Sequence, residues 1–180
     1  MTEKMHTFTG KKVNPMKLEQ NAIDIVDIAH ALSLLCRGGG HLKYFYSVGQ
    51  HSINCAEEAI TWKESPNVVL GCLLHDASEA YLSDLIRPVK KHFEKYVEIE
   101  NQIAQVIFNK FGLSHLSEQE LGKVKEIDDA LLENELAALL TVKQPRPKSI
   151  LKSYPNFNER PNREIEQEFL DLYFEQMNNI

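Results

Sequence analysis

A chain of 180 residues with 43% hydrophobic and 26% charged side chains can close one ordinary hydrophobic core, so a single globular domain is expected. The net charge of −6 argues against a broad nucleic-acid surface, because duplex binding depends on clustered Lys and Arg, although a small anion needs only a local basic pocket. No apolar stretch approaches the ~18 residues that span a bilayer, and the first residues lack the charged-then-apolar plan of a signal peptide. A cytoplasmic enzyme without a membrane partner is the expectation. Cys36, Cys55 and Cys72 are odd in number and form no C-x-x-C pair, which favours reduced, buried thiols over disulfides or a structural zinc site.

Up to about Asn21 the chain is polar and punctuated by Gly10, Asn14 and Pro15, and His6–Thr9 with Lys12–Val13 can pair as a short hairpin. Asp24 is an N-cap, after which Ile25, Ile28, Ala29, Leu32 and Leu35 recur at helical spacing until Gly38-Gly39-Gly40. His30 in this helix reads as an ordinary partly buried histidine. Arg37 sits where the helix runs out, followed by three glycines and His41. Glycines allow close backbone approach and an arginine beside them can clamp phosphate; the same arginine also complements a helix dipole. Ser47 and Gln50 form a capping box for a helix from about Val48 to Lys63. Val48, His51, Cys55, Ala59 and Trp62 share one face of it, apart from Asn54, Glu57 and Glu58. His51 is therefore either a ligand or a hydrogen-bonded core histidine.

Ser65-Pro66-Asn67 breaks that helix and starts the apolar run Val68–Leu74, which predicts an element buried on every side and continuing to about Leu82. His75 and Asp76 leave this run within the interior, where an imidazole and a carboxylate need partners, and a metal ion satisfies both. On a helix His75, Asp76 and Glu79 project toward one side. Asp84 and Pro88 mark a short turn folded over the open side of this cluster, with a surface N-cap as the plainer reading of Asp84. A long amphipathic helix follows from about Lys91 to Phe111, with Phe93, Tyr96, Val97, Ile99, Ile103, Val106 and Ile107 as its apolar residues.

Ser117 and Glu120 form another capping box, and the helix after it runs to about Leu140. Leu121, Val124, Asp128, Leu131 and Glu135 share its stripe, whereas Asp129 lies in a row with Lys125 and Glu133. Asp128 is thus the buried candidate of the Asp128-Asp129 pair, with Glu135 placed to support it or an arginine. Residues 143–163 carry Pro145, Pro147, Pro155 and Pro161 and predict a surface loop. A final helix from Glu164 to about Met177 presents Ile165, Phe169, Leu170, Leu172, Tyr173 and Phe174. The expected fold is an all-α bundle with a core of about 22–142, the loop 143–163 and a C-terminal helix 164–178.

Separate helices thus offer His51, then His75-Asp76, then Asp128, with gaps of 24 and 52 residues around the adjacent pair. This H…HD…D pattern resembles the HD-domain phosphohydrolase superfamily. His75-Asp76-Ala77-Ser78-Glu79, Asp84-Leu85 and Pro88-Val89-Lys90 look like the corresponding stretch of its bacterial 5′-deoxynucleotidase branch. Arg37, Gly40-His41 and Tyr46-Ser47-Val48 with His51 are similar to the start of small phage and prophage HD hydrolases. The resemblance covers roughly residues 6 to 140. It implies His51, His75, Asp76 and Asp128 as metal ligands, Arg37 at the substrate phosphate, and Glu79 and Asp84 at the attacking water or leaving oxygen; His41 reads either as a further pocket residue or as loop packing. Two imidazoles and two carboxylates suit one Mn, Co, Fe, Ni or Zn ion better than Mg.

The expected activity is removal of phosphate from (deoxy)nucleoside monophosphates by a homodimeric enzyme. An HD-type nucleoside triphosphate phosphohydrolase, a cyclic-nucleotide phosphodiesterase and a non-catalytic nucleotide sensor are the alternatives, and residues 143–163 offer a docking segment. In one respect the chain departs from the deoxynucleotidase branch, where an aromatic that follows the arginine crowds the sugar. Here Gly38 follows Arg37, which leaves the choice between ribose and deoxyribose open.

Overall fold

The computed structural model describes residues 3–180, and its elements are helical apart from one short hairpin. They are β1 (Met5–His6), β2 (Lys12–Val13), α1 (Ile25–Leu34), α2 (Val48–Thr61), α3 (Pro66–Leu74), α4 (Glu79–Leu82), α5 (Arg87–Lys90), α6 (Glu94–Lys110), α7 (Glu118–Leu139) and α8 (Asn162–Met177). Side-chain caps begin α1, α2 and α7 where the sequence places them, and α3 has one at Ser65. Asp24 accepts the Val26 N–H, Ser47 that of Gln50 and Ser65 that of Val68, and Ser117 with Glu120 completes a reciprocal box, whereas the box expected at Ser47 stays half-made because the Gln50 side chain donates to the Asn156 and Asn158 carbonyls. Among the described residues no helix is long and apolar enough to cross a membrane.

α3 is the axis of the bundle. It packs against α2, α7 and α8, and Val68 to Leu74 are buried on all sides, as the unbroken apolar run predicts. Gly71 permits the contact with α7, since a Cβ there would meet the Val124 side chain at 2.9 Å. The three cysteines are free thiols, with Cys55 and Cys72 in the core. His30 is partly buried as expected, stacked on Phe8 and paired with Glu166 at 3.0 Å.

The apolar run does not continue as one helix to Leu82. α3 ends at Leu74, and the backbone tightens, with Ala77 N–H bonding to Leu74 O and Glu79 N–H to Asp76 O, each three residues back. The hairpin pairs Met5 with Val13 and His6 with Lys12, so Thr7–Thr9 is the turn rather than strand. Thr9 is held out of the strand because its N–H and hydroxyl both donate to the buried Asp27 carboxylate of α1. α6 starts at Glu94 and leaves Phe93 exposed, and α7 leaves Leu121 exposed in place of burying it with Val124. α8 starts two residues early, buries Ile165, Phe169 and Tyr173, and turns Phe174 outward.

Residues 143–161 form a surface loop without a buried residue, as expected, but the loop is tied down as a strap, because side chains of α2, α7 and Tyr44 bind its backbone. Gln50 donates to the carbonyls of Asn156 and Asn158, Asn134 to that of Ser149, and Tyr44 to that of Phe157. Glu58 accepts the N–H groups of Lys152 and Ser153, the Ser153 hydroxyl and the Trp62 indole. The strap therefore buries Asn54 and Glu58, which the helical pattern of α2 had assigned to the polar side.

Burial works against the Glu58 charge, yet the donors from Lys152 and Ser153 outweigh it and hold its pKa below the usual 4.5. The stabilisation is present above pH 4.5 and is lost as pH falls through the lowered value. Glu58→Gln should lower the unfolding free energy by about 1–3 kcal/mol at pH 7. In urea titrations the gap from the parent protein should shrink below pH 4.5.

A candidate metal centre at the floor of a cleft

Three local devices bring the candidate ligands together. His51 sits in the first turn of the buried helix α2, and Asp128 lies midway along α7. His75 and Asp76 lie in the tightened turn after α3, where the Cys72 carbonyl is left to accept His75 Nδ1–H at 2.7 Å. A carbonyl can only accept, so His75 carries its Nδ1 proton there and turns Nε2 inward. His51 does the same against the Glu135 carboxylate, at 2.7 Å.

The inward atoms converge. His51 Nε2 lies 3.2 Å from His75 Nε2, 3.2 Å from Asp128 Oδ1 and 3.8 Å from Asp76 Oδ2. His75 Nε2 is 3.2 Å from Asp76 Oδ2 and 3.7 Å from Asp128 Oδ1. Two imidazole lone pairs and two carboxylate oxygens at such distances repel unless a cation lies among them. Asp76 and Asp128 accordingly push the His75 pKa well up against the effect of burial, and both carboxyls are held far below their usual range. One proton satisfies one Nε2, whereas a metal ion satisfies all four atoms. Metal–ligand bonds of about 2.1 Å put neighbouring ligand atoms roughly 3.0–3.4 Å apart, so the donor set and its spacing fit such an ion.

Cys55 is a member of this cluster that the sequence reading placed in the core without a role. His51, Cys55 and His75 offer ligand atoms within 4.8 Å of one another. Cys55 Sγ is 3.5 Å from His51 Nε2 and 3.9 Å from Nδ1, nearly the same distance from both nitrogens, so it lies beside the ring and not along the Nε2 lone pair. Burial also pushes its thiol pKa well up. Cys55 packs the ring, and the carboxylates are the better ligands.

Arg37 enters above the cluster. Its backbone N–H is fixed by Tyr46 O at 2.8 Å, beside an antiparallel bridge between Cys36 and Ser47 that ends α1 at Leu34, short of the glycines. Nε donates to Glu135 at 3.0 Å and NH1 to Asp76 at 3.2 Å, while NH2 is 3.8 Å from Asp128. Burial opposes the Arg37 charge, but these three carboxylates outweigh it and raise its pKa.

The cluster adjoins a cleft of about 430 Å³, a size suited to a small organic ligand, and contributes Asp76 and Asp128 to its lining. Arg37, Asp76, Glu79, Asp84, Arg87, Lys90, Asp128 and Glu135 line its polar side. Leu42, Leu85, Ile86, Leu132, Leu136 and Leu140 supply its apolar lining, and exposed His41 also borders it. Asp84 reaches the cleft in the segment between α4 and α5, as the turn pattern predicts. Glu79 is almost fully buried with Oε2 lacking a hydrogen-bond partner, and burial together with Asp76 and Asp84 raises its pKa to about 9. Asp84 is raised chiefly by burial and by Asp76, and drawn back by Arg37, Lys90 and the Gly38 N–H.

Arg87 escaped the sequence reading. It donates to Asp128 Oδ2 at 2.6 Å and to Asp129 at 2.8 Å, which ties the second oxygen of a candidate ligand to the rim. No spacing rule connects positions 41 residues apart on different elements.

No protein-family model matches the chain. The chain is similar to the uncharacterized protein YfdR of Escherichia coli (strain K12), with 39% identity over 107 residues, 59% of this chain and 57% of YfdR. It is also similar to an uncharacterized protein of Rhodobacter capsulatus, with 34% identity over 113 residues, again 59% of this chain and 57% of that protein. The chain thus spans little more than half the length of these curated relatives.

Gly38 has φ +65°, and a Cβ on it would come 3.3 Å from the Leu42 side chain. Left-handed backbone costs a residue with a Cβ roughly 1–2 kcal/mol. Gly38→Ala should cost about that much in equilibrium unfolding, because the loop that aims Arg37 cannot relax the angle without moving the arginine.

Proposed function

We propose that this protein is a metal-dependent phosphohydrolase of the HD type that removes phosphate from nucleotides, most readily from (deoxy)nucleoside monophosphates. The observation that carries this reading is the convergence of His51 Nε2, His75 Nε2, Asp76 Oδ2 and Asp128 Oδ1, 3.2–3.8 Å apart in the pairs above, beneath a buried arginine and beside a cleft. These four residues would hold the ion, and Mn, Co, Fe, Ni or Zn suits them. A bound ion supplies Lewis acidity, which acidifies water and offsets charge on phosphoryl oxygens.

The remaining steps belong to side chains of the cleft. Arg37 is fixed by Glu135 and Asp76 and directs its free N–H donors at a phosphate, so orientation is settled before substrate arrives. Glu79, whose pKa is raised by burial, Asp76 and Asp84, can pass a proton to the leaving nucleoside oxygen. Asp84 is the carboxylate that can orient the attacking water or relay its proton. The leucine and isoleucine lining accommodates the nucleoside by apolar contact. Hydrolysis breaks the phosphorus–oxygen ester bond, with water adding hydroxyl to phosphorus and a proton to the nucleoside.

Metal-stripped protein resupplied with Mn, Co, Ni or Zn, and less so with Mg, should release inorganic phosphate from nucleoside monophosphates and not from triphosphates. Phosphate release from triphosphates instead, or turnover of cyclic nucleotides, would replace the nucleotidase assignment. His75→Ala and Asp76→Ala should abolish release while circular dichroism shows the fold retained; full activity in either would overturn the mechanism. Glu79→Gln should keep metal affinity and slow turnover by about 10²–10⁴-fold.

A further inference from the structure

Behind the candidate ligands runs a one-way chain of hydrogen bonds that ends in the strap. Asn54 Nδ2 faces Tyr46 Oη at 2.8 Å and the Asn156 carbonyl at 3.3 Å. The carbonyl can only accept, so the amide cannot be flipped and Asn54 donates to the Tyr46 hydroxyl. That hydroxyl must then send its own proton onward, to Glu135 Oε1 at 2.8 Å. The same Oε1 accepts His51 Nδ1–H at 2.7 Å, while Oε2 takes Arg37 Nε at 3.0 Å. Asn54, Tyr46, Glu135 and His51 are all at most 3% exposed, so water does not interrupt the sequence.

We propose that Tyr46 and Asn54 are positioning residues, which use the strap carbonyl of Asn156 to fix the orientation of Glu135 and through it the inward aim of His51 Nε2. Three properties support this assignment. Each link has one permitted direction, so the chain transmits orientation as well as contact. Glu135 stands between a candidate ligand and the candidate phosphate-binding arginine, so a rotation of its carboxylate moves both. The anchor is doubly held, since Gln50 Nε2 donates to the same Asn156 carbonyl at 2.8 Å. Residues 143–161 lie outside the stretch that resembles HD hydrolases, and this chain gives them a task at the centre.

The inference rests on the proposed metal-binding role of His51, and the test keeps the two apart. Tyr46→Phe removes only the hydroxyl, and Asn54→Leu removes the donor at nearly constant volume. In the metal-free full chain, nitrogen-15 and proton NMR of the imidazoles reads the His51 Nδ1–H resonance, assigned by its loss in His51→Gln. That resonance should move in both variants, and calorimetric Mn²⁺ affinity should fall about tenfold. If both variants fold and keep the parental Nδ1–H resonance, the positioning role is overturned whatever the metal result. If the parent binds no Mn²⁺ but the resonance moves, the metal reading fails and the positioning role stands. Should Tyr46→Phe fail to fold, Asn54→Leu carries the same NMR test, because it leaves the hydroxyl in place but free to turn.

Discussion

One buried carboxylate, Glu135 of α7, is the point on which the rest of the site depends. It accepts from His51 on α2, from Tyr46 just before α2, and from Arg37 in the loop after α1, partners 84 to 98 residues away in sequence. An isolated carboxylate so deeply buried costs several kcal/mol of desolvation, which only full hydrogen bonding and nearby positive charge can offset. Here both are present, and they hold its pKa below the usual value despite burial. Because each oxygen has its own donors, the carboxylate has one orientation, and the ring of His51 and the plane of Arg37 inherit it.

The fold supplies this point with rigid neighbours. α3 is apolar on all faces and so cannot slide toward solvent, and Gly71 lets α7 approach it closely. Where the apolar run stops, the backbone tightens from α-helical to three-residue bonding, and this aims the two candidate ligands that follow. A continuing α-helix would have bonded the Cys72 carbonyl to the Asp76 N–H. In the tightened turn that carbonyl receives the His75 imidazole instead. The correction to the expected single helix is thus also the reason that His75 faces inward.

What was legible in the sequence is what short-range rules record. The caps at Asp24, Ser47 and Ser117, the buried α3, and Asp128 chosen over Asp129 all follow from periodicity and capping chemistry. Asp129 indeed faces outward, to Lys125 and Arg87. The strap was illegible because its stability lies in side chain to backbone bonds, and a backbone carbonyl leaves no mark on a sequence pattern. For the same reason Asn54 and Glu58 read as a solvated face, when they are polar because they face the peptide backbone of the strap. Phe93, Leu121 and Phe174 failed differently. They lie near the ends of elements or at the edge of a stripe, where an apolar residue can satisfy a helical period and still have nothing above it.

The charges around the cleft explain why the cation and the phosphate belong to one argument. Five carboxylates line it, Asp76, Glu79, Asp84, Asp128 and Glu135, against three cations, Arg37, Arg87 and Lys90. A cleft with that balance repels a phosphate dianion, even after burial and like charge neutralise Glu79 by raising its pKa to about 9. Arg37 alone does not reverse the sign, since its charge is already shared among Glu135, Asp76 and Asp128. A divalent ion between His51, His75, Asp76 and Asp128 would shift the balance by two units at the place where the arginine points. In the proposed function an ion is thus first the condition for binding an anion and only then a source of Lewis acidity. The acidic residues that would make the cleft hostile to phosphate without an ion are the same ones that would make it selective for the ion.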